Sequence, residues 1–331
     1  MGRRLVRLDA ARALRSAVEF LIASSFSTDG AEAWWQDFDL YPGPSDEWVT
    51  AYAGCALAGA PGGRAHRWAA KAWRWLKNRA SGRSAGFRYN GRTTPDADST
   101  AWACRLAVGL GISGGPLDGA LGFLESCRRR DGGIATYPSR EAVRAAIRIP
   151  ADLPVDGWAS SHVCVTAAAA GIPKFGDDER VRRFLRREQM RSGEWRGYWW
   201  CDAEYATAMA IECLAHSATA PDRRAAGLGI EYLRTSGGGD SAFRLALRII
   251  GLSRGGEPPA DLLGQLTALQ QTDGSWPPSA RLRIPPPDEM SPDRRWNWDE
   301  GYKGFGSIRL DANRIFTTAT AVRALSAAAA P

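Results

Sequence analysis

The 331-residue sequence has no long apolar run free of charges, which excludes a transmembrane helix. Arginine and aspartate interrupt the apolar residues at its N-terminus, so this stretch predicts an amphipathic helix and not a signal peptide. The six cysteines form no CxxC pair and mostly stand inside Ala-rich runs, where cysteine behaves as a small apolar residue. We therefore expect a cytoplasmic protein.

Nucleotide-binding motifs are also missing, since neither a P-loop nor a GxGxxG turn occurs in a suitable context. The sequence therefore predicts no redox or nucleotide cofactor. The net charge is +7, but aromatic residues are not interleaved with the arginine runs. We expect a solvated surface and no nucleic-acid partner, although an anionic small molecule such as a diphosphate is compatible with this charge.

Two kinds of helical segment alternate along the chain. The first is Ala-dominated, begins at or near an N-cap residue, and starts at Asp46, Asp98, Ser160, Ala203, Asp240 and Asn313. The second is amphipathic and arginine-rich, and covers 9–24, 65–79, 116–128, 178–190, 222–235 and 260–271. Six such pairs, with the small-residue helices inside, predict one all-α domain over residues 1–331, an (α/α)6 toroid. An open solenoid is the alternative.

The loops that follow the outer helices repeat a short pattern of Gln, Gly and Trp. Its best copy runs from Gln270 through Gly274 to Trp276, and a weaker copy runs from Gln189 to Trp195. Glycine supplies unusual backbone angles, and tryptophan supplies buried area and an N–H that needs a partner. We expect these loops to fasten one helix to the next.

Two motifs carry a family resemblance. The Q-x-x-x-G-x-W pattern resembles the QW repeat of squalene–hopene cyclases and related triterpene cyclases. The run Asp96-Ala97-Asp98-Ser99-Thr100-Ala101 resembles the D-x-D-D-T-A motif of class II terpene cyclases. Ser99 replaces the motif's last aspartate, and the chain is about half as long as a two-barrel triterpene cyclase.

The resemblance implies a cyclase that starts a carbocation cascade by protonating an alkene, with Asp98 as the acid. Asp96 and Ser99 then tune that acid. Two carboxyls one residue apart cannot both ionise cheaply, which agrees with a retained proton. An ordinary helix N-cap is the structural alternative. The single barrel favours a medium-sized isoprenoid or polyene-like substrate.

Such a cascade needs a dry cavity with aromatic faces. The residues predicted to contact the substrate stand at or near inner-helix starts, in the lid segment or on the dense Gly197–Tyr205 run. They are Trp48, Tyr52, Trp102, Trp158, His162, Trp199, Trp200, Asp202, Glu204, Tyr205 and Trp298. Residues 277–306 are polar and Pro-rich, and we predict that they fold over the cavity as a lid or long loop.

Three other functions are compatible with this barrel. Cys201, Asp202, Glu204 and His162 offer the residue types of a zinc-dependent prenyltransferase, although their spacing is not diagnostic. Paired carboxylates with many tryptophans also suit a glycan-active enzyme. A non-catalytic binding module is the third alternative. We predict no metal, except Mg²⁺ if the substrate is a diphosphate, and make no prediction of the oligomeric state.

Overall fold

The computed structural model describes residues 2–80, 85–237, 241–256 and 260–329, so the predicted helix start at Asp240 lies outside the described residues. Six helices rich in small buried residues form an inner layer: α2 (Glu47–Gly59), α4 (Ala97–Gly109), α8 (Val163–Ala170), α11 (Ala203–Leu214), α13 (Ala242–Leu252) and α15 (Ile315–Ala329). Six others form an outer layer: α1 (Gly2–Ala23), α3 (Gly63–Arg79), α5 (Pro116–Ser126), α10 (Glu179–Arg187), α12 (Ala220–Thr235) and α14 (Ala260–Ala268). The predicted helical class and the alternation of two helix types are confirmed.

The inner helices contact one another in a cycle. Each packs against the next along the chain, and α15 packs against α2. Small residues permit this closeness: a Cβ added at Gly54 of α2 would stand 2.7 Å from the Leu106 side chain of α4. Among the outer helices, α1 packs on α15, which joins the N-terminal helix to the C-terminal one.

Short elements fill the connections. Three helices of four to eight residues and two antiparallel hairpins occur: α6 (Arg140–Ile147), α7 (Asp156–Ala159), α9 (Pro173–Gly176), β1 (Asp37–Leu40) with β2 (Gly43–Ser45), and β3 (Arg281–Ile284) with β4 (Ser307–Leu310). Residues 292–294 form a 3-10 turn. None of the described helices has both the length and the hydropathy needed to cross a bilayer.

Tryptophans fasten the loops to the outer helices, as the sequence pattern suggests. The indole N–H groups of Trp35, Trp195 and Trp276 donate to the carbonyls of Leu21, Leu185 and Leu266 at 2.6–2.7 Å. The Gln270 side-chain amide bridges the Gly274 carbonyl and the Ala13 carbonyl of α1. Each loop is thereby fixed to the end of the helix that precedes it.

A set of buried threonines, which sequence reasoning missed, holds the other side of these loops. Each lies one turn inside an inner helix, and its hydroxyl oxygen accepts a hydrogen bond from a loop backbone N–H. The pairs, donor first, are Trp35 with Thr50, Phe87 with Thr100, Ile134 with Thr166, Trp195 with Thr207 and Trp276 with Thr318. The repeat therefore fixes both ends of each connection.

These connections bring the starts of the inner helices together. The Asp46 backbone N–H donates to the Tyr89 carbonyl, and the Ala97 N–H donates to the Thr136 carbonyl. Where α15 meets α2, the buried Asp37 carboxylate accepts from the Ile315 N–H at 2.9 Å and caps α15. The loops before the inner helices thus form one hydrogen-bonded rim, and the candidate site lies inside it.

Three loop glycines approach an outer helix so closely that no side chain fits. Gly132, Gly193 and Gly274 all have φ between +89° and +100°. A Cβ on any of them would stand 2.3–2.4 Å from a backbone carbonyl oxygen of the neighbouring helix. Both the backbone conformation and the space therefore require glycine.

We expect Gly274→Ala to lower the free energy of unfolding by about 2–4 kcal/mol, because it combines backbone strain with overpacking against Ser16. Gly62→Ala is the matched control, since Gly62 has φ +102° but no neighbouring atom within 4 Å. It should cost only about 1 kcal/mol. Denaturant unfolding of both variants measures the difference, and equal losses would show that the close approach is unimportant.

Candidate active site

The first turn of α4 holds the two aspartates of the sequence motif. Asp96 is the N-cap: its Oδ1 accepts a hydrogen bond from the Ser99 backbone N–H at 2.8 Å, and its Oδ2 accepts one from the Ser99 hydroxyl at 2.7 Å. These bonds satisfy a helix N–H and orient the carboxyl. Ser99 therefore acts on Asp96, through its backbone N–H and its hydroxyl, and not directly on Asp98.

Asp98 lies one residue inside the helix and lines a cavity. Its Oδ1 is buried and has no hydrogen-bond partner among the described residues. Burial, and then repulsion from Asp96, raises the pKa of Asp98 well above its usual 3.8. A desolvated carboxyl beside a second one favours its neutral form. Asp98 is therefore suited to hold a proton at neutral pH.

Asp96 differs from its neighbour because its charge is stabilised. Burial raises the pKa of Asp96 to about 6, and the hydrogen bonds from Ser99 oppose that rise. The two carboxyls thus differ: the hydrogen bonds from Ser99 stabilise the charge of Asp96, whereas burial and the charge of Asp96 favour the neutral form of Asp98 in the cavity wall.

Trp48 is the polar neighbour of this acid. Its buried indole Nε1 also has no hydrogen-bond partner in the described part of the chain, and its proximity offsets part of the rise in the pKa of Asp98. Asp98 forms no ion pair with any described residue. A neutral N–H beside the carboxyl leaves the proton in place, which a guanidinium would not.

The cavity has a volume of about 620 Å³ and a largely aromatic wall. Its rings are those of Tyr41, Trp48, Tyr89, Tyr137, Trp158, Trp199, Tyr302 and Phe305. The only carboxylates among its described lining residues are Asp96 and Asp98. A chamber of this size suits one small-molecule ligand, and its aromatic faces can stabilise a cation without supplying a strong base.

The structure brings Trp48, Trp158 and Trp199 to the cavity wall with Asp96, Asp98 and Ser99. Four other predicted contacts, Tyr52, Trp102, Trp200 and Tyr205, do not line it. They are fully buried and, with Phe316, make an aromatic floor.

This floor is closely stacked. The Tyr52 and Phe316 ring centroids are 3.8 Å apart, and those of Trp200 and Tyr205 are 4.4 Å apart. The Trp102 indole N–H donates to the Tyr205 hydroxyl at 3.2 Å. Packing against one another removes these rings from the cavity surface, so they support its wall and do not form it.

His162 is buried behind the wall and does not line the cavity. Its Nδ1 lies 2.7 Å from the Thr136 hydroxyl, and its Nε2 lies 2.8 Å from the Gly157 carbonyl. Burial lowers the pKa of His162 to about 4, so the ring is neutral. Both nitrogens are occupied within the protein, which leaves neither free to bind substrate.

The remaining predicted contacts lie outside the cavity. The buried Glu204 pairs with Arg244 at 2.7 Å. Asp202 is not in the lining, and burial raises its pKa to about 6. Trp298 lines a separate pocket of about 300 Å³ together with Arg283 and Arg295.

A zinc site is not assembled from these residues. The described chain contains no group of three or more His, Cys, Asp and Glu side chains placed to hold a metal ion. His162 is committed to Thr136 and Gly157, and Glu204 to Arg244. Two of the four side chains named for the zinc-dependent alternative, His162 and Glu204, therefore have other partners.

Several wall residues were missed by sequence reasoning because they come from connections. Tyr89 and Tyr137 precede inner helices, and Phe305 belongs to the predicted lid segment. That segment does border the cavity, through Leu282 and Ile284 of β3 and through residues 302–305. Only the position of Tyr89 and Tyr137 in loops before inner helices could have indicated them.

Solved structures resemble the whole chain. A protein from Actinoplanes is 36% identical, with a TM-score of 0.89, over 97% of this chain and 100% of that one. Type II terpene cyclase MstE from Scytonema, in complex with its substrate geranylgeranyl dihydroxybenzoate, is 34% identical, with a TM-score of 0.90, over 98% of this chain and 99% of that one. Its complex with the product merosterolic acid A matches at 34% identity and a TM-score of 0.89.

A more distant structure shares the fold alone. The ent-copalyl diphosphate synthase from Streptomyces platensis is 15% identical, with a TM-score of 0.59, and the match covers 86% of this chain and 50% of that one. No family model and no curated protein matches the sequence.

The raised pKa of Asp98 predicts a specific pH dependence of stability. A carboxyl whose pKa is higher in the folded than in the unfolded state stabilises the fold at low pH, and this contribution is lost as pH rises toward the folded pKa. Asp98→Asn removes it. We expect the variant to gain stability over the wild type by about 1.4 kcal/mol per pH unit above pH ~4.

Urea unfolding of both proteins between pH 4 and pH 7 measures this gain. The other buried carboxyls are common to the two proteins and cancel in the difference. Parallel stability curves would show that Asp98 is ionised in the folded protein.

Proposed function

Because the chain belongs to the type II terpene cyclase family, we propose that it closes rings in a medium-sized isoprenoid by protonating the chain with Asp98. The observation that supports this most is a carboxyl that lines an aromatic cavity, has a buried Oδ1 without a hydrogen-bond partner among the described residues, and has its pKa raised by burial. The structural neighbours are enzymes that cyclise terpenes, and this chain is an enzyme of that kind. They support the wider family and not the squalene–hopene cyclases in particular.

The fold assignment that accompanies this function is a single-domain (α/α)6 toroid. It is supported by the cyclic contacts of the inner helices and by an outer helix packed on each of them. In this arrangement the first turns of α2 and α4 line the cavity together with the connections that precede α8 and α11, and these walls shield a cation formed there from bulk water. We propose that residues 277–306 act as the lid of this chamber, since they contribute to its wall.

The proposed reaction begins with a general acid. The Asp98 O–H bond breaks, the proton goes to one carbon of an alkene, and the electron pair of that alkene forms the new C–H bond. The neighbouring carbon becomes cationic, and further alkenes attack it in turn to close rings. Water takes a proton from the last cation, and a proton from solvent returns to the Asp98 carboxylate, so the overall reaction is an isomerisation.

The wall residues then have distinct tasks. The rings of Trp48, Trp158 and Trp199 present π faces that stabilise successive cations. Asp96 and Ser99 hold the turn so that Asp98 stays aimed into the chamber. The proposed reaction includes no redox step. Mg²⁺ would act only if the substrate carries a diphosphate.

The neighbours' ligands indicate the size of the substrate. MstE binds geranylgeranyl dihydroxybenzoate, and we propose a geranylgeranyl-sized polyene for this chain. A cavity of about 620 Å³ is in the range that small-molecule sites occupy.

Replacing the acid should stop catalysis and spare binding. We expect Asp98→Asn to lower kcat with geranylgeranyl dihydroxybenzoate by a factor of about 10²–10⁴, because the proton donor is lost while the shape of the side chain is kept. Chromatographic separation of the isomeric product from the substrate, with detection by mass spectrometry, measures turnover, and calorimetry measures binding. Asp118→Asn, at an exposed first-turn carboxyl of α5, is the control and should leave both unchanged.

The zinc-dependent alternative makes a different prediction. Full activity of Asp98→Asn would contradict the cyclase proposal. Turnover that is lost on chelation and restored by zinc would favour the prenyltransferase.

A further inference from the structure

The cavity mouth carries two guanidinium groups without a partner. Arg92 and Arg148 both line the cavity and are exposed to solvent. Neither guanidinium forms a hydrogen bond or ion pair with any described residue. Lys303, the third cation of the lining, is instead paired with Asp39.

Backbone turns set the position of both arginines. The Arg92 Nη1 lies 3.4 Å from the point where a Cβ on Gly43 would stand, so it rests against the turn between β1 and β2. Arg148 ends α6 in the left-handed conformation, with φ 54°. Two separate loops therefore present a cation at the same opening.

The charged side chains of the cavity are therefore separated, with the two arginines at the mouth and the two carboxyls at the start of α4. Both carboxylates of its described lining, Asp96 and Asp98, belong to the first turn of α4. The influences on the pKa of Asp98 are burial, Asp96, Trp48 and Arg105, and neither mouth arginine is among them. The arginines therefore do not neutralise the acid and are available to a ligand.

We propose that the substrate bears an anionic group, a carboxylate or a diphosphate, which Arg92 and Arg148 bind at the mouth while the polyene tail reaches Asp98. This assignment rests on the proposed cyclase function. Guanidinium groups form paired, charge-assisted hydrogen bonds with carboxylate and phosphate oxygens. Such an anchor enforces one orientation, with the free end of the isoprenoid at the acid.

Three geranylgeranyl probes test this: the dihydroxybenzoate, its uncharged methyl ester and the diphosphate. We expect Arg92→Gln and Arg148→Gln each to raise KM about tenfold for an anionic probe and to leave the ester unchanged. Arg191→Gln, an exposed arginine outside the cavity lining, should change none of them. The anionic probe with the lower KM identifies the head group as carboxylate or diphosphate.

An equal rise in KM for the acid and the ester in the two arginine variants would overturn the proposed anchor. An unchanged KM for both anionic probes would overturn it as well. Its failure is separable from failure of the cyclase proposal, because binding of the dihydroxybenzoate to Asp98→Asn reports on the arginines without turnover. Unimpaired turnover by Asp98→Asn contradicts the cyclase alone, whereas binding that is indifferent to both arginine changes contradicts the anchor alone.

A second inference comes from a hydrogen-bonded chain behind the cavity wall. The Trp199 indole N–H donates to the Thr136 Oγ1 at 2.8 Å, and that hydroxyl lies 2.7 Å from Nδ1 of His162. The Gly157 carbonyl can only accept, so His162 carries its proton on Nε2 and accepts at Nδ1 from Thr136. The direction of each hydrogen bond is therefore fixed: Thr136 Oγ1 accepts from Trp199 and donates to His162.

The same chain is tied to the acid-bearing helix. The Thr136 carbonyl accepts from the backbone N–H of Ala97, between the two motif aspartates, at 2.8 Å. The His162 ring is stacked on Tyr198 with centroids 4.0 Å apart, which fixes its plane. Thr136 therefore fixes both the orientation of the Trp199 ring and the start of α4.

We infer that His162 is a positioning residue, which acts through Thr136 to hold the Trp199 ring at the angle that stabilises a cation during the proposed cyclisation. The interaction of a cation with an aromatic face depends on its place over the ring. A rotated indole would therefore let the cascade end early, giving incompletely cyclised products.

The ratio of incompletely to fully cyclised product tests this role with geranylgeranyl dihydroxybenzoate. Thr136→Val removes the hydroxyl at nearly constant volume and should raise the ratio roughly tenfold, the effect of losing one cation–π contact. His162→Gln should shift it in the same direction. Thr136→Ser keeps the hydroxyl and should restore the wild-type ratio.

A double variant separates positioning from general damage to the wall. In a Trp199→Phe background no indole N–H remains, so adding Thr136→Val should not change the ratio further. The indole N–H resonance of Trp199 gives a readout that needs no turnover, and it should move in Thr136→Val but not in Thr136→Ser. An equal effect of Thr136→Val in both backgrounds, or an unmoved resonance, would overturn the inference.

Discussion

The structure depends on keeping one carboxyl dry and without a counter-ion. An unpaired buried polar atom is costly, and most proteins remove the cost by adding a partner. Here Asp98 Oδ1 is buried without one, and the carboxyl remains beside an ionisable neighbour. The protein tolerates this because the surrounding turn is fixed: Ser99 binds both oxygens of Asp96, and the Thr100 hydroxyl donates to the Asp96 carbonyl at 2.6 Å.

The placement of buried cations follows from the same constraint. At the far end of the inner helices, Glu212 is surrounded by Arg105, Arg254 and Arg323, which lower its pKa although burial opposes them. The aromatic floor lies between this ion cluster and the cavity, since Arg105 and Arg323 stack on the floor residue Trp102. One glutamate bound by three arginines at one end, and a carboxyl without a cation partner at the other, give the inner helices different electrostatic environments at their two ends.

How far the sequence predicts this site differs between helices and loops. Helical period and N-cap chemistry predict the six helix pairs and the position of Asp96 and Asp98. The same period explains why the predicted contacts Tyr52 and Trp102 do not line the cavity. They stand four residues, or one helical turn, after Trp48 and Asp98, which places them in the aromatic floor below the wall. Residue type could not reveal that depth, because a buried tryptophan serves equally as packing or as lining.

Loop residues escaped prediction for a different physical reason. The hydrogen bonds among Trp199, Thr136 and His162 join three connections that are separated in sequence, and only the packing of the helices between them makes them neighbours. A lone histidine near a helix start gives no sign of whether its nitrogens face a ligand or a hydroxyl. Contacts of this kind are set by the tertiary fold, so a sequence can indicate which residues take part but not what each one does.

The two parts of residues 277–306 that line the cavity are held with different strength. The root of this segment is secured by the pairing of β3 with β4 and by Arg283, which donates to the Tyr198 carbonyl and to Asp293. Its tip is held to the β1–β2 turn by a backbone bond from Tyr41 to Lys303 and by the exposed Lys303–Asp39 pair. Exposed ion pairs contribute little. Displacing residues 302–304 therefore costs far less than displacing β3, which carries Leu282 and Ile284 and is paired with β4.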